Sequence, residues 1–239
     1  MLPSRPSYRA LYLQVRDALA ERISRREWIA GHAVPNESDL ARELGVSPGT
    51  VRKALDLMEA QRLITRRQGK GTFVNDQTSD VAAARFSKLR GAGGEPITGI
   101  AGPVVISEAA ADEHEAARLR LRVSDPVYRI NRHRCDRRHT FMTENVTLPA
   151  ALFPGLTDRS DIGGDISGLA HHYGILLGRA EERISLAVPP ASIAATLGVA
   201  LGIPLMQLDR VIFTFDGRAV EWRMAYCHLP GCYYLAEIS

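Results

Sequence analysis

Cysteine is scarce. The 239 residues hold three, Cys135, Cys227 and Cys232, too few and too odd in number for a disulfide framework. A reducing, cytoplasmic setting is the expectation. No run of 18 apolar residues occurs, so no helix is expected to span a membrane. The start, Met1-Leu2-Pro3-Ser4-Arg5-Pro6, lacks the apolar stretch and cleavage site of a secretory signal. Neither sign of charge dominates: 30 Lys+Arg face 27 Asp+Glu, a net of +3. With 45% hydrophobic and 24% charged residues, the composition is that of an ordinary globular chain of one large or two smaller domains.

The location of the charge is more informative than its sum. Residues 1–76 carry 13 basic and 9 acidic side chains, and residues 77–239 carry 17 and 18, so the basic excess lies wholly in the first third. Within it, residues 49–72 set Arg52, Lys53, Arg62, Arg66, Arg67 and Lys70 against Asp56 and Glu59. Such a module fits an anionic polymer, or equally a solvated charged face.

Patterning favours the polymer. Leu11, Val15, Leu19 and Ile23 recur every four residues and predict an amphipathic helix from about Tyr8 to Arg26. After a break over 29–35, Asn36 offers an N-cap to a short helix that Gly45 ends. Ser47 caps the next helix and Pro48 opens it, where a missing N–H is harmless. That helix turns Val51, Ala54, Leu55 and Met58 inward and leaves Gly49, Thr50, Arg52 and Lys53 outward near its start. Two short helices joined by a tight turn read as a helix-turn-helix, the second helix facing base edges in a major groove. Residues 63–67 and 71–74 read as strands around Gln68-Gly69-Lys70, a basic hairpin whose glycine tip can enter a narrow groove. The combination is a winged helix.

Val34-Pro35-Asn36-Glu37-Ser38-Asp39-Leu40-Ala41, then 45–55 from Gly45-Val46-Ser47 to Ala54-Leu55, then Gln68-Gly69-Lys70-Gly71-Thr72-Phe73-Val74 resemble the GntR family of bacterial transcription regulators. The match runs through residues 8–75 without a gap. It departs at Asn36, where the family usually has serine, and at Pro48, where it often has a base-reading arginine, which shifts weight onto Arg52. The resemblance implies contacts to double-stranded DNA from Ser38, Ser47, Pro48, Gly49, Thr50, Arg52, Lys53, Gln68, Gly69 and Lys70.

The rest of the chain, after a polar and alanine-rich linker over 76–85, mixes alternating strands with short helices. Tyr128, Ile130, Arg132 and Arg134 share one strand face, and Met142, Glu144, Val146 and Leu148 share one on the next strand, the two joined by a turn at Asp136–His139. Two arginines and a glutamate thus continue apolar faces. Either they pair with one another, the favoured reading of the bare pattern, or a polar ligand completes the set. Further on, a helix closes over 170–173, Ile175 to Leu186 looks extended, and 190–197 is helical. A second hairpin (207–215 and 219–228) turns at Asp216-Gly217. The class is α+β, dominated by antiparallel strands.

Arg132-His133-Arg134, Glu144 ahead of Leu148-Pro149, Tyr173-Gly174, Gly202-Ile203-Pro204-Leu205 and Asp216-Gly217-Arg218-Ala219-Val220-Glu221 are similar, in order, to the UTRA effector domain of the histidine-utilisation-repressor branch of GntR regulators. The resemblance implies a chorismate-lyase-like fold over 86–239 behind a winged helix over 1–75. In it Arg132 and Arg134 would grip an anionic group, and Glu144 and Glu221 would take hydroxyl or amine groups of a small-molecule effector. Cys227-His228-Leu229-Pro230-Gly231-Cys232 stands where that domain often ends in a Tyr-x-x-Asp-Arg-type segment, which points to a divergent ligand. A homodimeric regulator, most often a repressor, reading a palindromic operator is the expected function. The alternative is an enzyme of chorismate-lyase-like fold carrying an accessory DNA-binding domain, but no catalytic constellation stands out and fold alone does not give activity. No cofactor is expected. His171-His172 and Cys227-His228-Cys232 match no zinc spacing, and Gly163-Gly164 is either an anion nest or, more simply, a loop.

Overall fold

The computed structural model describes residues 9–76, 85–97, 99–136, 139–159, 162 and 165–236. Most of the 76–85 linker, the Gly163-Gly164 pair and the Arg137-Arg138 turn therefore lie outside the described residues.

The first unit packs three helices against a small sheet. Helix α1 (Leu11–Ser24) turns Val15, Leu19 and Ile23 inward, as its four-residue stripe dictates, but it is shorter than the expected 8–26. Helix α2 (Glu37–Leu44) begins where the Asn36 side chain accepts a hydrogen bond from Asp39 N, and ends at Gly45, whose φ of 67° is the left-handed conformation glycine adopts most readily. Helix α3 (Pro48–Ala60) is capped by Ser47, which accepts from Thr50 N, and buries Val51, Ala54, Leu55 and Met58. Strands β2 (Ile64–Arg67) and β3 (Gly71–Val74) form the expected hairpin. A two-residue strand β1 (Ala33–Val34), inside what reads as a break in the sequence, pairs with β3 to give the order β1-β3-β2.

The second unit is built on one antiparallel sheet of seven strands. Its path runs β5 (Ile100–Ala101), β7 (Pro126–Asp136), β8 (His139–Pro149), β11 (Ala219–Cys227), β10 (Leu205–Thr214), β9 (Leu177–Ala187), while β6 (Val105–Ala110) also pairs with β7. Strands β4 (Leu89–Arg90) and β12 (Tyr233–Tyr234) form a separate pair. Among the described residues its α-helices are α4 (Glu113–Leu119), α5 (Ile166–His172) and α6 (Ala191–Leu197). Helix α4 is started by a capping box in which Asp112 and Glu115 each bond the other's backbone N–H. One apolar cluster joins Ile130, Val146, Leu148 and Ile212 of the sheet to Ile166 and Ala170 of α5, and a second sets Ala116 and Leu119 of α4 against Val127, Val211 and Phe213.

The two units touch through the tip of the β10–β11 hairpin. Phe215 there is 8% exposed and belongs to the apolar cluster of the winged helix, beside Val15, Leu19 and Leu55. Buried Arg16 of α1 stacks its guanidinium over the Phe215 ring, 4.7 Å from the centroid, and donates to Phe215 O at 3.1 Å. Ser24 donates to Gly174 O, and a cleft of about 550 Å³ runs between α1 and this tip.

Candidate functional site: a nucleic-acid interface and a buried charge network

The residues expected to meet DNA lie at three places. Ser38 sits in α2, Ser47, Pro48, Gly49, Thr50, Arg52 and Lys53 at the start of α3, and Gln68, Gly69 and Lys70 at the hairpin tip. All are exposed except the half-buried Thr50. Capping fixes the start of α3: Ser47 Oγ accepts from Thr50 N at 3.2 Å and lies 2.9 Å from Thr50 Oγ1. At the hairpin tip Gly69 has a φ of 69°, a conformation that a side chain there would strain.

Arg52 does not hang free in solvent. Its Nε and Nη2 meet Glu37 Oε2 at 2.9 and 2.8 Å, a side-on pair that holds the guanidinium above its ordinary pKa. Arg66 of β2 ties the hairpin to both helices, contacting Glu37 at 3.6 Å, Glu59 at 3.2 Å, Asp56, and the Arg52 carbonyl at 3.4 Å. Burial works against the charge on Arg66, and the surrounding carboxylates raise its pKa. Lys53 Nζ stands 4.1 Å over the Tyr12 ring of α1. Glu37 thus holds Arg52 in place and Arg66 braces the hairpin; the sequence shows Arg66 only as one of six basic residues and Glu37 only as part of a motif.

The second place is inside the C-terminal sheet, where strand alternation brings charged residues of five strands onto one face. Arg132 lies directly opposite Glu144, and Arg210 faces Arg223 on one side and Glu182 on the other. Glu144 is 0% exposed and accepts three guanidinium bonds: from Arg132 Nε at 2.7 Å, Arg134 Nε at 2.9 Å and Arg223 Nη1 at 2.8 Å. Arg223 continues to Glu182 at 3.1 Å, whose other oxygen accepts from Tyr234 OH at 2.6 Å. Arg210 donates to Glu221 at 3.0 Å and to Phe86 O at 2.7 Å.

Burial alone would raise the Glu144 carboxyl, but Arg132, Arg223 and Arg134 together hold it far below the ordinary carboxylate range. Burial likewise works against Arg223, which Glu144, Glu182 and Glu221 raise above its ordinary value, while for Arg210 burial and the neighbouring Arg223 win and lower it. Tyr234 is raised, first by burial and then by its bond to Glu182. Cys227, buried on the same face, is pushed up to about 12 by burial and stays a thiol.

Arg132, Arg134 and Glu144 thus meet as one group, whereas Glu221 belongs to the adjoining pair with Arg210. Arg210, Arg223, Glu182 and Tyr234 escaped the sequence reading. The alternation that exposed Arg132 and Glu144 in the first hairpin, applied to the second, would have placed Glu221 and Arg223 on one face as well.

The family described as bacterial regulatory proteins, gntR family, matches residues 11–74, and the UTRA domain matches residues 104–230, half of the chain. The mannosyl-D-glycerate transport/metabolism system repressor MngR of Escherichia coli is 26% identical over 216 residues, covering 90% of each chain. The transcriptional regulator GgaR of the same organism is 26% identical over 222 residues, 91% of this chain and 86% of its own. Among solved structures, PhnF from Mycobacterium smegmatis is 27% identical with a TM-score of 0.57 over 94% of this chain and 99% of its own. The winged helix lies within the first match and most of the antiparallel sheet within the second, and the chain belongs to the GntR family of bacterial transcription regulators, in the branch that carries a UTRA domain.

Proposed function

We propose that the chain is a metabolite-controlled repressor acting as a homodimer, with residues 1–75 binding DNA, 76–85 as linker and 86–239 taking the metabolite. Two winged helices read a palindromic operator with half-sites about one helical turn apart. Arg52 reads a base edge from the start of α3, exchanging Glu37 for the bidentate face of a guanine. Ser47, Pro48, Gly49 and Thr50 bring the helix N-terminus to a phosphate. Ser38, Lys53, Gln68, Gly69 and Lys70 add contacts that position the module without reading sequence.

The observation that carries the metabolite site is Glu144, a carboxylate wholly out of water whose oxygens are taken up by three arginines. Four arginines, Arg132, Arg134, Arg210 and Arg223, share this face with three glutamates, Glu144, Glu182 and Glu221. Arg210 Nε and Arg223 Nε are buried there without an acceptor. A small carboxylate or phosphate entering beside Arg132 and Arg134 takes over from Glu144 the role of counter-ion, with Glu144 and Glu221 left to accept its hydroxyl or amine groups. MngR represses, by its name, a system for a glycoside of glycerate, itself a carboxylate. The route to DNA is the β10–β11 hairpin: it carries Arg210, Glu221 and Arg223 in its strands and Phe215 at the tip seated on α1. A ligand that rearranges the strands biases that seat, and operator affinity follows.

The test is a titration of fluorescent operator DNA from upstream of the gene, against random DNA of equal length, at about 0.15 M salt. Sugar phosphates and small carboxylates are then screened for release of the complex. We expect at least about a hundredfold preference for the operator, and release by one class of anion. Arg132→Ala should bind operator normally and no longer respond. Equal binding to both DNAs, or an undiminished response in Arg132→Ala, would refute the reading.

A further inference from the structure

Around the helix-turn-helix and the hairpin, arginines come with carboxylates. Arg42 of α2 holds Asp39, Arg52 of α3 holds Glu37, and Arg66 of β2 holds Asp56 and Glu59. Arg67, the last residue of β2, breaks the pattern. Among the described residues it has no carboxylate partner; it is exposed, and its guanidinium carbon lies 4.8 Å from the centroid of the Phe73 ring.

The hairpin register explains the difference. Arg67 stands opposite Gly71, and Thr65 opposite Phe73, so Arg67 and Phe73 share the face that points away from the acidic residues gripped by Arg66. Gly71 puts no side chain beside Arg67. The backbone there is fixed, since Lys70 N donates to Arg67 O at 2.9 Å and closes the turn. The side chain is held only by the ring, a weak contact at an exposed site. The tip is also slim: a Cβ at Gly69 or Gly71 would meet no atom within 4 Å. Two cations, Arg67 and Lys70, thus flank a thin turn with nothing crowding it.

We infer that Arg67 is a specificity-determining residue, a reader of A·T pairs in the minor groove of the operator. It leaves Phe73 as the tip docks and enters the groove where A·T pairs make it narrow. The inference rests on the DNA-binding reading proposed above, in which Arg52 alone reads sequence and the hairpin tip only positions the module. Three physical arguments carry it. A narrow A·T minor groove concentrates negative potential, which draws a cation whose charge no neighbour has already cancelled. The groove floor offers only acceptors at A·T pairs, whereas guanine adds an amino group that opposes a guanidinium. A planar guanidinium is more weakly hydrated than an ammonium and enters a narrow groove at lower cost, which separates Arg67 from Lys70. With α3 in the major groove, the minor groove next to it lies about half a helical turn away, so the A·T pairs should stand about five base pairs from the guanine read by Arg52.

Fluorescence anisotropy of the full chain on its operator tests this. Each A·T pair outside the segment read by α3 is replaced in turn by G·C and by inosine·C, which shows the major groove of G·C but the minor groove of A·T. At one position or more, G·C should weaken wild type roughly tenfold, and inosine·C should not. Arg67→Ala, with an unchanged circular dichroism spectrum, should bind all three versions alike. Arg67→Lys keeps the charge; it should retain the wild-type salt slope and lose the discrimination. A G·C penalty that inosine·C shares would put the readout in the major groove and overturn the inference. So would a wild type indifferent at every position, an Arg67→Ala protein that still discriminates, or an Arg67→Lys protein that discriminates as wild type does. Any of these leaves the function proposed above standing, whereas equal binding of wild type to operator and random DNA would overturn both.

Discussion

Arginine does two different jobs in the two halves of this molecule. In the winged helix its partners are exposed and replaceable: the Arg52 side chain is 64% exposed and leans on one glutamate. In the C-terminal sheet Arg132 and Arg223 are buried and share Glu144. An exposed pair contributes little and can be exchanged for a phosphate or base at small cost. A buried pair, once one partner is removed, leaves a charge with no water to receive it. On the function proposed above, the difference separates a surface that lets go of its partners on each DNA encounter from a centre that gives up a carboxylate only for another anion.

Four measurements break or sharpen this contrast. The largest effect should come from Glu144→Ala, which removes the carboxylate shared by buried Arg132 and Arg223 and by partly buried Arg134; it should destabilise by about 3–5 kcal/mol in urea unfolding. An effect as small as that of a surface ion pair would mean that the network is solvated. The same carboxylate gives a pH signature. Its folded pKa lies below the ordinary value, so its contribution is fully present above the ordinary carboxylate range and is lost as pH falls through that range toward the folded value. Unfolding followed against pH should therefore show an acid loss of stability that Glu144→Gln lacks. Third in size, Arg52→Ala should lower the preference for operator over random DNA roughly tenfold to a hundredfold; equal losses on both DNAs would end its base-reading role. Smallest is Lys70→Ala, which should weaken binding to every sequence alike and reduce the salt slope by about one. A selective loss on operator alone would make Lys70 a reader rather than a phosphate contact.

What the sequence disclosed and what it withheld follow from the range of the interactions. The winged helix was legible because its signals are local: Asn36 and Ser47 cap the helices they precede, Gly45 stops one, and a glycine hairpin follows. Helix α4 had a comparable local signal, Asp112 with Glu115, which the reading passed over. Strand β1 had none, since two residues at 33–34 become a strand only by lying against Phe73 and Thr72. The charge network was half legible. Arg132, Arg134 and Glu144 show by alternation within one hairpin, but Arg223 reaches Glu144 across 79 positions and Glu182 across 41, distances no spacing rule covers. Phe215 meeting Arg16 across 199 positions is further still out of reach.

That last contact bears on how such regulators are assembled from parts. The winged helix has Phe215 in its own apolar core, lent by a turn of the C-terminal domain. A chain cut after residue 76 would lose that aromatic ring and the cover it gives Arg16, so the DNA-binding half is not a freely transferable cassette. Grafting it onto another sensor should succeed only where the new partner offers an aromatic hairpin tip of the same reach.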